Sequence, residues 1–223
     1  MDTSAKEISF DNNNCCNFCT EFTICYSRYE KYSKDKLNQL LYRIKNSRTN
    51  SNYDCIIGIS GGVDSSWALI KAIENGLKPL AVHVDNGWNS ELAQNNISNL
   101  IKGLNVDLFT LVIDWEEYRN LMKSFFAANV VDIELLYDNA IFAVNYQQAN
   151  KHKLNYILAG TNHATEGMRM PSNWNWYKYD KRNIFDINNR FVKTKIITFP
   201  SFSTVNYLKY NFINRIKWVH FLD

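Results

Sequence analysis

A short loop between two apolar segments limits the folds open to this chain more than any other feature. The segment Cys55–Ile59 is apolar and has the length of a buried strand, and residues 67–73 are apolar and helix-favouring. Between them lies Ser60–Ser66, whose sequence is SGGVDSS. Two adjacent glycines allow the backbone to approach an anion, and a helix start offers unpaired N–H groups. The junction therefore predicts a strand, a glycine loop and a helix that together bind a phosphate.

The acidic residue in this loop distinguishes it from a Walker loop. A Walker loop contains a lysine that reaches the β and γ phosphates, whereas here Asp64 lies between the glycines and the serines. The simpler alternative is a strand-to-helix turn in which Asp64 or Ser65 caps the helix. Two glycines, an acid and two serines are more than a cap requires, so we favour phosphate binding. The loop resembles the PP-loop of the N-type ATP pyrophosphatases, which split ATP between its α and β phosphates.

Apolar strands alternate with helical patterns after residue 53. Besides Cys55–Ile59, the predicted strands are 80–84, 108–113 and 156–159, and the predicted helices are 65–74, 90–102, 116–128 and 137–152. This alternation predicts an α/β fold, namely a Rossmann-like parallel sheet with helices on both faces. Residues 1–52 are predicted to form a short cysteine-containing appendage and linker with one helix from Tyr29 to Lys45. Residues 53–223 are predicted to form the PP-loop domain.

Polar or glycine-rich residues follow each predicted strand. Ligands of parallel sheets bind beyond the carboxyl ends of the strands, near the point where the strand order reverses. Those ends carry Ser60–Ser66, His83–Gly87, Asp114-Trp115 and Gly160–His163. The segment Glu166–Asp180 comes next and has neither helix nor strand periodicity. Its Trp, Tyr, Asn, Arg and Lys residues suit a polyhydroxylated anion such as a nucleotide-linked sugar, and packing onto the domain surface is the alternative.

Charge and cysteine content exclude several classes of protein. The chain has 223 residues with 25 basic and 22 acidic side chains, and its net charge of +3 is distributed without a basic arm for nucleic acid. No apolar stretch reaches the roughly 18 residues of a membrane span, and no secretory leader is visible, so we expect a cytoplasmic protein. Five cysteines, four of them between positions 15 and 25, make a poor disulfide framework.

Over most of its length the chain resembles the bacterial N-acetyl sugar amidotransferases, PP-loop enzymes of lipopolysaccharide, O-antigen and nonulosonic-acid biosynthesis. The resemblance is carried by Met1–Ser4, Ile8–Asp11, Cys16–Cys19, Gly58–Ser66, Val82–Trp88, Gly160–Gly167 and the tryptophan-rich loop that follows. It implies an enzyme that uses ATP and Mg²⁺ to adenylate the acetamido oxygen of a nucleotide-linked sugar. Ammonia from a separate glutaminase subunit would then replace AMP, leaving an acetamidino group and releasing AMP and pyrophosphate.

The resemblance also implies roles for individual residues. Nucleotide binding is assigned to Ser60, Gly61, Gly62, Val63, Asp64, Ser65, Ser66, His83, Asp85, Gly160, Thr161 and Asn162. The resemblance assigns sugar binding to Glu166 and Arg169, and the residue types of the loop after the fourth strand add Lys178 for phosphate and Trp174 and Trp176 for stacking. Asp64, as a Mg²⁺ ligand, and Glu166 are the catalytic candidates. Two alternatives stay open: Asp85 as a turn residue before Gly87, and His83 as a packing residue on the face of a strand.

The chain departs from the family pattern at both ends. Family members carry a further Cys-x-x-Cys before the Met-Asp-Thr segment, so the resemblance implies that Cys16 and Cys19 would be half of a four-cysteine zinc site. Cys15, Cys25 or a second chain are the remaining candidate ligands, and we expect zinc to be weakly bound or absent. The family pattern also continues past Asp223, so we expect a chain truncated at both ends.

Two other functions compete with the sugar amidotransferase. A PP-loop enzyme that thiolates tRNA would use the same adenylation step, but it would need reactive cysteines near the loop and a basic RNA-binding face. No cysteine follows Cys55 and the net charge is small. The other alternative is a truncated chain that binds a nucleotide without turnover.

Overall fold

The computed structural model describes residues 2–29, 33–47 and 51–223, and within these ranges five parallel strands form one sheet. The strands are β1 (Cys55–Gly58), β2 (Pro79–Asp85), β3 (Leu108–Val112), β4 (Tyr156–Ala159) and β5 (Lys217–His220). Their order is β3-β2-β1-β4-β5, so the order reverses between β1 and β4. The prediction of an α/β fold built on a Rossmann-like parallel sheet is confirmed.

Helices cover both faces of the sheet. They are α1 (Asn17–Tyr29), α2 (Ser33–Asn46), α3 (Val63–Glu74), α4 (Glu91–Leu104), α5 (Trp115–Ala127), α6 (Leu135–Lys151), α7 (His163–Glu166), α8 (Lys181–Arg190) and α9 (Thr204–Leu208), followed by a π-helical turn at Lys209–Ile213. Alternate residues of β1 point to opposite faces. Ile56 packs with α5, α6 and α8, whereas Ile57 packs with α2, α3 and α4. None of the described helices is long and apolar enough to cross a membrane.

The structure adds elements that the sequence pattern did not predict. Helix α1 precedes the predicted helix at 29–45, which corresponds mainly to α2, and residues 30–32 lie outside the described residues. Met1 and residues 48–50 of the predicted linker also lie outside them. Helix α8, helix α9 and strand β5 follow the last predicted element. Helix α3 begins two residues earlier than predicted, with Gly62 as its N-cap and neither Asp64 nor Ser65 in that position.

Two buried polar side chains hold the carboxyl-terminal segment against the sheet. The carboxylate of Glu117 on α5 accepts hydrogen bonds from the backbone N–H groups of residues 197, 198 and 199 at 2.7, 3.0 and 2.8 Å. The amide of Asn139 on α6 donates to the carbonyl of Phe202 at 2.8 Å and accepts from its N–H at 2.8 Å. Through these contacts, α5 and α6 fix the chain that leads into β5.

Replacing Glu117 with glutamine is expected to lower the free energy of unfolding by about 1–3 kcal/mol, because an amide NH₂ would face backbone N–H donors in a buried site. Urea denaturation measures this change. The matched control is Glu116→Gln, next to it but exposed, which is expected to change the free energy by no more than about 0.5 kcal/mol. Equal effects of the two substitutions would contradict the anchoring role of Glu117.

Candidate functional site

The loop Ser60–Ser66 joins β1 to α3 at the carboxyl edge of the sheet. Gly62 is the N-cap of α3, has an extended backbone with φ −82° and ψ 169°, and supplies no side-chain cap. The first N–H groups of α3 are therefore not covered by a capping side chain. The positive end of the helix dipole lies at the same end of α3. This is the strand–loop–helix geometry that the sequence predicts, while phosphate binding by the loop stays a prediction.

Serine hydroxyl groups brace the loop from within. The backbone N–H of Ser60 donates to Ser65 Oγ at 3.2 Å, and the two serine Oγ atoms are 3.1 Å apart. The hydroxyl of Ser66 donates to the carbonyl of Gly62 at 2.7 Å. These short-range bonds hold the loop in one shape before any ligand arrives, which reduces the ordering cost of binding.

Two glycines are required by the packing around this loop. Gly61 has φ +80°, and a Cβ there would lie 2.4 Å from the carbonyl oxygen of Ala93. A Cβ on Gly160, at the end of β4, would lie 2.7 Å from the backbone N of Ser65. At Gly62 a Cβ would meet only Ser60 Oγ, at 3.3 Å. Gly61 and Gly160 therefore serve close packing, whereas Gly62 turns an open backbone surface toward the space where a ligand would approach.

A cavity of about 280 Å³ opens beside the loop, between the ends of β1 and β4 where the strand order reverses. Its volume is near the lower end of small-molecule sites, which hold roughly 300–1,000 Å³. The polar side chains at its rim are Ser60, Asp64, Ser65, Thr161 and Glu166. The apolar walls are Val82, Val84, Ile141, Leu158 and Trp218. The cavity thus combines an apolar interior with a polar rim that carries two carboxylates, Asp64 and Glu166.

The last residue of β5 and a residue that follows it hold the loop after β4. Thr161 Oγ1 is hydrogen-bonded to Nδ1 of His220. The backbone N–H of His163 donates to one carboxylate oxygen of Asp223 at 2.7 Å, and His163 Nδ1 lies 2.7 Å from the other. Since Thr161 and Glu166 line the cavity, the last residues of the chain set the position of one side of its rim.

The predicted nucleotide-binding residues divide into two groups in the structure. Those that line the cavity are Ser60, Gly62, Val63, Asp64, Ser65, Gly160 and Thr161. Those outside its lining are Gly61, Ser66, His83, Asp85 and Asn162. The first group lies on the loop and at the end of β4, so the strand ends do meet as the sequence predicts. In the second group, Gly61 and Ser66 belong to the same loop, His83 and Asp85 lie on β2, and Asn162 follows β4.

His83 and Asp85 make the contacts that the sequence left open as alternatives to nucleotide binding. The ring of His83 is buried, and its Nδ1 lies 2.9 Å from the carbonyl oxygen of Ile59. The side-chain amide of Asn89 donates to Nε2 of His83 at 3.1 Å. Its Nδ1 therefore carries the proton and donates to Ile59. Asp85 accepts hydrogen bonds from Gly87 N–H at 2.9 Å and from Asn89 at 3.0 Å. His83 thus contacts the residue before the glycine loop, Asp85 contacts the turn after β2, and neither lines the cavity.

Of the predicted sugar-binding residues, Glu166 lines the cavity, while the other four make contacts elsewhere in the chain. Arg169 pairs with Glu7 and Glu21, at 3.1 Å each, and its guanidinium lies 4.5 Å above the ring of Phe18. Trp174 packs on the same amino-terminal cluster. These contacts bind the segment after α7 to the appendage around α1. The sugar-binding role of Arg169 and Trp174 stays a prediction.

Lys178 and Trp176 are held by carboxylates of the domain. Lys178 Nζ lies 2.8 Å from Asp132 and 2.9 Å from Asp138. Burial acts against the charge of Lys178, but the hydrogen bonds to these two carboxylates outweigh it and raise the pKa of the lysine. Trp176 donates its indole N–H to Asp180 at 3.0 Å. Trp174 and Trp176 line a separate depression of about 390 Å³, so they could contact a ligand there but do not reach the first cavity.

The predicted half zinc site has its two sulfur atoms close together. Cys16 Sγ and Cys19 Sγ are 3.3 Å apart. Hydrogen bonds from the backbone N–H and the thiol of Cys19 lower the pKa of Cys16, which precedes the first turn of α1. Within the described residues, no group of three or more His, Cys, Asp or Glu side chains is arranged to hold a metal. Zinc binding by this pair stays a prediction.

Sequence reasoning missed several residues of the cavity, among them Tyr137, Ile141 and Asn145 on α6 and Trp218 on β5. A signal for Asn145 was present, because it follows Ala143-Val144 on a helix whose buried face is mostly apolar. A polar residue at such a position must find a partner or carry a function. Trp218 gave no comparable signal, since its strand was not predicted.

Three kinds of comparison relate this chain to known proteins. Residues 36–169 match the sequence profile of the NAD synthase family. A curated relative, an uncharacterized protein of Methanocaldococcus jannaschii, is 33% identical over 113 residues, and the match spans 50% of this chain and 40% of the relative. The chain thus spans well under half of the length of that relative.

Three solved structures are similar to this chain. NMN synthetase from Francisella tularensis has a TM-score of 0.42 and 14% identity, covering 83% of this chain and 97% of that one. NH₃-dependent NAD synthetase from Campylobacter jejuni has a TM-score of 0.46 and 14% identity, and the match covers 74% of this chain and 76% of that one. Glutamine-dependent NAD⁺ synthetase from Acinetobacter baumannii has a TM-score of 0.46 and 15% identity, and the match covers 71% of this chain and 32% of that one. Because the profile match extends over more than half of the sequence and includes the whole glycine loop, this chain belongs to the NAD synthase family.

Proposed function

We propose that this chain binds ATP with its phosphates on the loop Ser60–Ser66 and transfers AMP to a carbonyl oxygen of a second substrate. One observation carries the proposal. A helix start without a side-chain cap, at Gly62, opens onto a cavity whose rim holds both Asp64 and Glu166. Membership of the NAD synthase family supports it, since that family match covers the loop and the strand ends around it.

In the proposed reaction, the carbonyl oxygen attacks the α phosphorus of ATP, and the bond from that phosphorus to the bridging oxygen breaks. Pyrophosphate leaves with the electron pair. The backbone N–H groups at the start of α3 and the hydroxyl of Ser65 would stabilise the negative charge that accumulates on it. Ser65 is suited to this because it already points into the loop, 3.1 Å from Ser60 Oγ.

Asp64 fits a Mg²⁺ ion that arrives with ATP. Its carboxylate is exposed, belongs to the first turn of α3 and lines the cavity beside the loop. In proteins Mg²⁺ keeps several waters and is held by one or two carboxylates together with substrate phosphates, so a single well-placed aspartate suffices. When bound, the ion would neutralise charge on the phosphates. Asp64 itself would orient the phosphates on the loop.

We further propose that the acceptor is the acetamido group of a nucleotide-linked sugar and that ammonia displaces AMP from it. Ammonia would attack the adenylated carbon, the bond from carbon to the AMP oxygen would break, and an acetamidino group would result. The carboxylate of Glu166, which lies at the rim of the cavity, would take the proton that the attacking ammonia loses. A glutaminase subunit would supply the ammonia. The resemblance to sugar amidotransferases supports this finer assignment.

Incubation of the protein with α-labelled ATP, Mg²⁺, ammonium chloride and a panel of nucleotide-linked N-acetyl sugars is expected to release AMP and pyrophosphate in equal amounts. Chromatography of the nucleotides and an enzymatic pyrophosphate assay measure the two products. A reaction without the sugar nucleotide is the control and is expected to release little AMP. ADP as the sole nucleotide product would contradict the proposal, and ATP binding without any turnover would reduce it to a nucleotide-binding function.

A further inference from the structure

Asn145 on α6 contains a buried acceptor without a partner. The side chain is 1% exposed, and its Nδ2 donates to the carbonyl oxygen of Ile141 at 2.8 Å. This bond determines which side-chain atom is nitrogen and which is oxygen. Within the described part of the chain, Oδ1 has no hydrogen-bond partner. A buried unsatisfied polar atom costs about 1–3 kcal/mol, so such an atom in a native fold calls for an explanation.

The position of Asn145 suggests the explanation, because it lines the same cavity as the glycine loop. Gly58 lies next to it, and a Cβ on that residue would be 3.4 Å from Oδ1. No side chain at Gly58 therefore covers the oxygen, which is itself enclosed and exposes almost no surface. The loop residues Ser60, Gly62 and Asp64 are exposed, whereas Asn145 is buried. The phosphate-binding rim and Asn145 thus lie at the open and the enclosed ends of one cavity.

Two other polar side chains that line the cavity already have partners. The hydroxyl of Tyr137 donates to the carbonyl of Val84 at 2.8 Å, and Thr161 is hydrogen-bonded to His220. The surrounding walls are apolar, with Val82 and Leu158 both buried. An occupant of the enclosed end would therefore be flat or apolar on its faces and would carry one donor for Asn145 Oδ1. A purine base with an exocyclic amine has this chemistry.

We infer that Asn145 Oδ1 accepts a hydrogen bond from the exocyclic amine of adenine and so selects ATP over GTP. This inference rests on the proposed function, because it takes ATP as the occupant of the cavity. Guanine has an oxygen where adenine has the amine, and that oxygen would face Asn145 Oδ1, acceptor against acceptor. A site built to accept a hydrogen bond strongly rejects an analogue that lacks the donor.

The test compares three nucleotides on three proteins by calorimetric titration. The nucleotides are ATP, GTP and the triphosphate of purine riboside, which lacks the exocyclic amine. The proteins are the unaltered chain, Asn145→Leu and the matched control Gln148→Leu. Gln148 lies on the same helix and also has a buried side-chain oxygen without a partner among the described residues, but it does not line the cavity.

The unaltered protein is expected to bind ATP about 10- to 100-fold more tightly than either analogue, the range that corresponds to one buried hydrogen bond. In Asn145→Leu the ATP affinity is expected to fall by about that factor, so that the preference for ATP disappears. Thermal stability is expected to be retained, because leucine has a similar volume and removes the unsatisfied oxygen. In Gln148→Leu both the affinity for ATP and the preference for it are expected to stay unchanged.

Equal affinity of the unaltered protein for ATP and the purine riboside triphosphate would overturn the inference while leaving the proposed function intact. That comparison requires no variant, so it decides the question even if Asn145→Leu does not fold. A folded Asn145→Leu protein that binds ATP as the unaltered one does would also overturn it. If the unaltered protein bound none of the three nucleotides, the proposed function would fail, and this inference with it.

Discussion

Replacing Gly160 with alanine is expected to lower the affinity for ATP by at least about 100-fold. The added Cβ would lie 2.7 Å from both the N and the Cα atom of Ser65 and 2.8 Å from the carbonyl carbon of Asp64. These are backbone atoms of the first helical turn, which cannot rotate away as a side chain can. The end of β4 and the start of α3 must therefore separate, and losing one or two hydrogen bonds from the loop to charged phosphates, at roughly 1.5–3 kcal/mol each, lowers affinity on the order of 100-fold. Calorimetric titration with ATP measures the loss.

Gly103→Ala is the matched control for this substitution. Gly103 lies on α4, and an added Cβ there would have no atom within 4 Å. The change is expected to leave ATP affinity unaltered and to raise the free energy of unfolding by up to about 1 kcal/mol, because alanine is the better helix former. Gly160→Ala is expected to lower the free energy of unfolding by about 1–3 kcal/mol through overpacking, so a thermal melt must show that it remains folded. A folded Gly160→Ala protein with normal ATP affinity would contradict the assignment of the loop.

The central part of the fold could be predicted because its signals are local. Strands β1 to β4 are short apolar runs, and the helices between them have apolar residues at helical spacing. The glycine loop marks the end of one strand and the start of the next helix within seven residues. Parallel order then brings the strand ends to one edge, which is why Asp64, Gly160 and Thr161 line the same cavity.

Strand β5 could not be predicted because its signal depends on distant parts of the chain. Lys217–His220 has no buried residue in the structure, and it becomes a strand by pairing with β4 more than 50 residues earlier. Helix α8 is similar, since only Ile184, Ile187 and Asn188 of its ten residues are buried. Because β5 was not predicted, the contacts of His220 and Asp223 with the loop after β4 were not predicted either. These contacts follow from tertiary packing, to which local periodicity is insensitive.

Composition predicted that Arg169 and Lys178 contact a ligand, and the structure shows that both already have partners within the protein. Arg169 and Lys178 suit an anionic ligand by type, but the structure pairs them with carboxylates at positions 7, 21, 132 and 138. Those partners are far apart in sequence, so no local pattern indicates the pairing. A charged residue in a predicted loop shows what it could bind, and only the fold shows which partner it has.

Replacing Asp64 with asparagine is expected to reduce the rate of AMP release on the order of 100- to 1,000-fold. Asparagine has nearly the same shape, so the first turn of α3 and the loop should keep their conformation. The neutral amide, however, can no longer hold Mg²⁺ as a carboxylate does, and removing one charge-stabilising group from a reacting site costs this much in other enzymes. Initial rates of AMP release, measured over a range of Mg²⁺ concentrations at saturating ATP, test the expectation.

Asp35→Asn separates the role of Asp64 at the cavity from its effect on the helix. Asp35 is also an exposed aspartate in the first turn of a helix, α2, but it does not line the cavity. Both substitutions remove a favourable interaction with a helix dipole, worth about 0.3–1 kcal/mol, so their effects on stability should be similar. Only Asp64→Asn should lose turnover and its dependence on Mg²⁺. If both variants released AMP at the unaltered rate, Asp64 would be a helix-stabilising residue and not a ligand of the reacting phosphates.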